Sequence, residues 1–215
     1  MSKKILFIWA DEVVKEDLLS RNFPLDYEVV FMHDTKIAHE NASPAAYFML
    51  NESIVDGFPF NELDPGTPVF INDVYRTLEE ISTRNGIIRI NAWPGFLRYP
   101  LLEIATRETD KAAAEILLTD LKWPFRWVAD VPGLVTPRVI SMIVNEACFA
   151  VNENISSPSE IDIALRLGTS YPQGPFEWAK QIGSRRIIKL LSALSEKDER
   201  YTPAPYLDHH LQHFS

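Results

Sequence analysis

Asp130-Val131-Pro132-Gly133-Leu134-Val135 marks the point at which the pattern of this chain changes. Downstream of it no run reads as a strand, and apolar residues recur at helical spacing: Val139, Ile140, Ile143, Val144, Ala147 and Val151 form one face of a long helix. Residues 152–158 interrupt that period. Ser157 or Ser159 is placed to cap a second helix carrying Ile161, Ile163, Ala164 and Leu167, with Glu160 in the first turn, where the helix dipole favours negative charge. Gly168 is placed to end it in a left-handed turn. A proline elbow, Tyr171-Pro172-Gln173-Gly174-Pro175, leads to a third helical stretch from Phe176 and a fourth over 184–194.

Upstream of the same point the pattern is different. Short apolar, β-branched runs at 5–9, 28–32, 68–71, 86–90 and 125–128 read as buried strands. Helical patterns lie between them at 12–19 and 109–121. Strand and helix in alternation predict a parallel sheet with crossover helices. The expected fold is therefore α/β, a Rossmann-like parallel-sheet domain over residues 1–132 followed by an all-α C-terminal domain over 133–215.

The chain has 215 residues, 46% hydrophobic and 24% charged, a balance that builds packed cores and excludes a disordered or fibrous protein. Its 21 basic and 30 acidic residues leave a net charge of −9, which disfavours nucleic acid and anionic lipid as partners. Cys148 is the only cysteine and sits in an apolar helical run, so it reads as core and fits a reducing cytoplasm. The apolar run after Lys3-Lys4 ends at Asp11-Glu12, too short for a signal peptide and right for a first strand. No stretch of about 20 uncharged apolar residues exists to span a membrane.

A dinucleotide-binding sheet places glycines directly after its first strand, because the pyrophosphate approaches backbone N–H groups at a helix N-terminus. Here the turn is Trp9-Ala10-Asp11-Glu12, with an indole and two carboxylates and no glycine. A nucleotide-type sheet without its nucleotide is the expectation, and no cofactor is called for. Asp34, after the second strand, is the candidate for ribose hydroxyls, with His33 the alternative for that position, and Asp34 is equally an ordinary turn residue.

The ordered set from 130 to 183 carries a resemblance: Asp130-Val131-Pro132-Gly133, Arg138 and Glu146 on one helix, Ile161-Asp162, Leu167-Gly168 and Tyr171-Pro172-Gln173-Gly174-Pro175-Phe176. It resembles the C-terminal helical domain of 3-hydroxyacyl-CoA dehydrogenases, and the tail over 199–207 is similar to that family's closing Pro-x-Pro segment. The resemblance implies NAD-dependent oxidation of 3-hydroxyacyl-CoA in fatty acid metabolism, and a homodimer formed through the helical domain. It extends upstream to about residue 86, where Asn91-Ala92-Trp93-Pro94 stands at the family's His-Phe-Phe-Asn-Pro segment and Glu103 at its glutamate. In that family the histidine is the general base and the glutamate orients it. Asparagine cannot take up a proton near neutral pH, so Asn91 implies a lost base beside a kept orienter. The family's Asn-Thr-Ser-Ser loop is matched here only by Asn72 of Asn72-Asp73-Val74-Tyr75, and Pro137 replaces the asparagine that precedes the family's arginine. The segment over 43–64 is too brief for the family's usual pair of long helices.

Three functions compete. The first is a catalytically impaired member retaining a small-molecule or acyl-CoA cleft. The second is an active NAD-dependent oxidoreductase using Glu103, His33 or His39 as base. The third is a dimerising structural or regulatory partner. Candidate site residues are Glu103 and Asn91 for catalysis, and Asp34 and Asn72 for cofactor binding. No metal site is expected: His209 and His213 are one helical turn apart, but a terminal frayed helix accounts for them. Trp93, Trp123 and Trp127 are expected near the cleft between domains, where core packing also explains them.

Overall fold

The computed structural model describes residues 3–33, 44–64 and 66–210. The chain divides into two compact units, residues 1–134 and 135–215.

The first unit is built on one seven-stranded sheet: β1 (Lys4–Trp9), β2 (Tyr27–Phe31), β3 (Ala46–Met49), β4 (Val69–Ile71), β5 (Ile87–Ile90), β6 (Leu102–Thr106) and β7 (Phe125–Trp127). Their spatial order is β2-β1-β3-β4-β5-β6-β7. β1 to β5 run parallel, β6 is antiparallel to β5, and β7 is parallel to β6. The fold is the expected Rossmann-like α/β sheet with two strands added. The sequence reading passed over β3, four consecutive buried residues with no alternation, and β6, the antiparallel strand that carries Glu103.

Alternation along the strands sorts the core into two layers. Leu6, Ile8, Phe48, Phe70 and Ile88 face Leu18 of α1 (Glu12–Leu19) and Leu118 of α3 (Lys111–Asp120). Phe7, Trp9, Tyr47, Met49, Val69 and Ile71 face Phe58, Phe60 and Leu63, from the segment between β3 and β4. That segment holds two short 3-10 turns at Glu52–Ile54 and Phe60–Glu62, so an aromatic loop covers this face where long helices would otherwise lie. The four-residue α2 (Leu78–Ile81) follows β4.

The second unit is helical: α4 (Thr136–Asn152), α5 (Pro158–Thr169), α6 (Pro175–Ile182), α7 (Ser184–Ser195) and α8 (Pro205–His210). Pro137 sits in the first turn of α4, where a missing N–H costs nothing. Val144, Cys148, Ile187, Leu191 and Leu207 are buried in this unit. Asn145 of α4 holds the segment before α8, donating to Thr202 O at 2.9 Å and accepting from Ala204 N at 2.8 Å. Of the two serines proposed to cap α5, Ser157 does so, in a reciprocal capping box with Glu160. Gly168 does not end α5 in a left-handed turn. It lies inside the helix, and the left-handed residue is Ser170, at φ 57°. Among the described residues no helix is long and apolar enough to cross a membrane.

Candidate functional site

In open parallel sheets ligands bind outside the carboxyl ends of the strands, where the chain reverses its direction of travel across the sheet. That switch falls here between β1 and β3, since β2 lies on one side of β1 and β3 on the other. The two diverging strand ends are tied together: Leu50 N and Asn51 N both donate to Trp9 O, at 2.7 and 3.0 Å. The edge is continued by Asn72-Asp73 after β4 and Asn91-Ala92 after β5.

The turn after β1 is where a dinucleotide would place its pyrophosphate. Asp11 is the N-cap of α1, and its Oδ1 accepts the Val14 N–H at 2.9 Å. The helix terminus that would receive a pyrophosphate is thus already occupied by a carboxylate of the chain itself. Trp9 is buried, in edge contact with Phe58 at 5.6 Å between ring centroids, and fills the sheet face beside the turn. A pyrophosphate in the usual position would meet the Asp11 charge and bulk that glycines would have avoided, so these residues do not fit the group.

Asn72 is the knot of the edge. Its Nδ2 donates to Leu50 O at 3.2 Å and lies 3.5 Å from Glu52 Oε1, while its Oδ1 accepts Ala92 N–H at 3.0 Å. One buried amide therefore joins the ends of β3, β4 and β5. Glu52 also accepts from the Tyr75 hydroxyl at 3.0 Å. Asp73 caps the next turn, accepting from Tyr75 N and Arg76 N, and pairs with the Arg76 guanidinium at 2.5 Å. Behind this turn Arg89, wholly buried on β5, donates to Asp73 O at 2.9 Å and to Asp130 Oδ1 at 2.6 Å. Burial pulls the Arg89 guanidinium below its ordinary value, and its bond to Asp130 pushes back.

Asn91 is buried, and its Oδ1 accepts the Trp93 N–H at 3.2 Å. Glu103 is half-buried on β6. The β5–β6 register pairs Ile88 with Thr106, Arg89 with Ala105 and Ile90 with Ile104. Continued by one residue, it sets Glu103 opposite Asn91. Arg126 of β7 is the register partner of Glu103 on its other side.

The structure thus gathers Asn72 and Asn91 at one edge, joined through Ala92, and aligns Glu103 with position 91. Asp34 and His39 lie outside the described residues, as does His213 of the proposed histidine pair; His33 is exposed. Glu52, Asp73 and Tyr75 were not singled out as site residues. The available signal was position alone, a polar Asn-Asp step immediately after an apolar strand. Trp123 is core, with Phe23 and Phe48 in edge contact. Among the described residues no three His, Cys, Asp or Glu side chains are grouped to hold a metal ion.

A mostly parallel sheet with its switch point beside the first strand is a doubly wound architecture of the nucleotide-binding type. The family model "3-hydroxyacyl-CoA dehydrogenase, C-terminal domain" matches residues 133–213. Over those residues the chain is similar to the C-terminal domain of 3-hydroxyacyl-CoA dehydrogenases. The 3-hydroxyadipyl-CoA dehydrogenase of Escherichia coli is 43% identical over 82 residues, 37% of this chain and 17% of that protein. A probable 3-hydroxybutyryl-CoA dehydrogenase of Bacillus subtilis is 35% identical over 82 residues, 37% of this chain and 29% of that protein. In both, the match spans less than a third of the relative. The fold extends further: the solved structure of M. tuberculosis FadB2 superposes with a TM-score of 0.77, covering 99% of this chain and 95% of that one at 13% identity. (S)-3-hydroxybutyryl-CoA dehydrogenase PaaH1 from Ralstonia eutropha gives 0.71, with 96% and 93% covered at 18% identity.

Proposed function

We propose that this chain is a catalytically impaired 3-hydroxyacyl-CoA dehydrogenase-type protein that retains binding of an acyl-CoA or another small molecule without hydride transfer. The observation that carries this reading is Asn91. It stands opposite Glu103, where the resemblance places the general base, and its side-chain oxygen is engaged by the Trp93 N–H. An amide there holds no proton to exchange near neutral pH. The carboxylate at the start of α1 supports the same reading, because it stands where NAD would place its pyrophosphate.

The resemblance further supports a homodimer through the helical unit, and the surface agrees with it. Ile163 and Leu167 of α5 are 50% and 81% exposed, and a largely apolar recess of about 460 Å³ runs between α4 and α5 beside Tyr171. A cytoplasmic setting is part of the same proposal.

A second reading, an active NAD-dependent oxidoreductase with Glu103 as base, is favoured by the half-buried position of Glu103 opposite residue 91. Titration calorimetry with NADH and, separately, acetoacetyl-CoA, each followed by an absorbance assay of NADH consumption, decides between them. Thioester binding without turnover is the expected result. Turnover of NADH overturns the impaired reading. Silence with both ligands leaves a dimerising partner as the function.

A further inference from the structure

The first unit holds a recess of about 490 Å³ formed by the loops after α1, before β6 and before β7. None of the Asn72, Asn91 or Glu103 machinery lines it. That volume lies within the range of small-molecule sites. In a chain with nine more acidic than basic residues, the recess is lined by Arg21, Arg98 and Lys122 and by no Asp or Glu.

Each cation is held differently, and each has donors to spare. Arg21 is half-buried: its Nε donates to Leu97 O at 2.7 Å and its Nη2 to Tyr99 O, which fixes the guanidinium against backbone carbonyls. Its Nη1 has no hydrogen-bond partner among the described residues. Arg98 is anchored through Nε to the buried carboxylate of Asp17, and its two terminal nitrogens make no bond among the described residues; the side chain is 59% exposed. Lys122 is exposed at a left-handed φ of 59°, which turns the chain at the rim. Its ammonium has no ion pair among the described residues.

The rest of the wall is partly aromatic. Tyr99 is 42% exposed and Phe23 half-buried, while Trp123 lies behind them, buried, with the Arg21 guanidinium over its ring at 5.1 Å and Phe23 at its edge. Burial with no carboxylate partner pulls the Arg21 guanidinium down to about 10, still charged at neutral pH, so an arriving anion would relieve an uncompensated buried charge.

We propose that this recess binds a small phosphate monoester with a flat, apolar body. Guanidinium forks match phosphate oxygens in pairs, an ammonium adds a point charge, and the aromatic wall receives the ring. The site does not depend on the dehydrogenase-type reading above.

The probe is phenyl phosphate, titrated into the full chain at low ionic strength, with inorganic phosphate and phenol as its two halves. Phenyl phosphate is expected to bind with Kd on the order of 1 mM or tighter, more strongly than either half, and to weaken as salt is raised. Lys122→Glu changes an exposed, unpaired residue and is expected to weaken binding about tenfold with an unchanged melting temperature, one reversed charge being worth that much near a partly desolvated anion. Arg98→Gln is expected to weaken binding similarly, with a lower melting temperature because it also takes the counter-charge from buried Asp17. No phenyl phosphate binding by about 10 mM overturns the proposal, as does an affinity that Lys122→Glu leaves unaltered. The same variant separates the two sites: acetoacetyl-CoA binding unaffected by Lys122→Glu belongs elsewhere than in this recess.

Discussion

Asp162 of α5 occupies the space that any side chain at position 174 would need. Its Oδ1 accepts the Phe176 N–H at 2.9 Å, capping the first turn of α6, and a β-carbon at Gly174 would fall 2.2 Å from that oxygen. The backbone at Gly174, φ −78°, is open to any residue, so glycine is required here by contact and not by conformation. Gly174→Ala is expected to destabilise the chain by about 1–3 kcal/mol, an overpacking cost, read as a lower urea midpoint. An unchanged midpoint would show that the α5–α6 corner gives way freely.

Asn72→Ala is expected to destabilise by about 2 kcal/mol, because it strands the buried Ala92 N–H and the Leu50 carbonyl together. Asn72→Asp keeps the acceptor for Ala92 but sets a carboxylate beside Glu52, and is expected to cost at least as much. Chemical denaturation of both variants checks the order.

Asp130→Ala removes the charged partner of fully buried Arg89 and the acceptor of the Leu78 N–H at 2.9 Å. Breaking such a pair from one side leaves a buried cation without its hydrogen-bonded counter-charge, so a loss of about 3 kcal/mol is expected. Arg89→Met, with no charge left behind, is expected to cost less, and melting curves of the pair of variants test that asymmetry.

Burial pushes the Cys148 thiol from its ordinary 9.0 to about 12. The folded state holds the neutral thiol, so its contribution to stability is complete below pH 9 and is lost as the pH rises toward 12. Iodoacetamide at pH 8 is expected to spare the folded chain and to label it promptly in urea. Fast labelling of the native protein would place the sulfur closer to solvent than the helical core allows.

Leu167→Glu tests the proposed dimer. The residue is 81% exposed within its unit, so the substitution is expected to shift the scattering mass from dimer to monomer while changing monomer stability by no more than about 0.5 kcal/mol. An unshifted mass removes α5 from the interface.

Much of this architecture is legible in residue patterns because period and punctuation are local signals. The apolar runs of β1 and β4 and the first turn of α5, where Ser157 was one of two candidate caps, all follow from neighbours within four positions. β3 escaped because Ala46-Tyr47-Phe48-Met49 contains no β-branched residue, the mark by which the other apolar runs read as strands. Gly168 misled because a glycine near a helix end invites a cap, whereas Ser170 takes the left-handed position two residues on. At the site, Asn91 and Glu103 were readable by resemblance, but the Asn72, Glu52 and Tyr75 network joins residues 20 or more positions apart and exists only once β3 and β4 are paired.

The carboxylate at the head of α1 has a consequence for how this protein lives with metabolite supply. A fold that keeps a nucleotide at that position gains stability in proportion to the logarithm of nucleotide concentration, and softens when the pool runs down. Here Asp11 is a resident anion at fixed, saturating local concentration. Under the proposed reading, the melting temperature is the same in NAD-rich and NAD-poor solution, and the fold is insulated from the redox state of the cell.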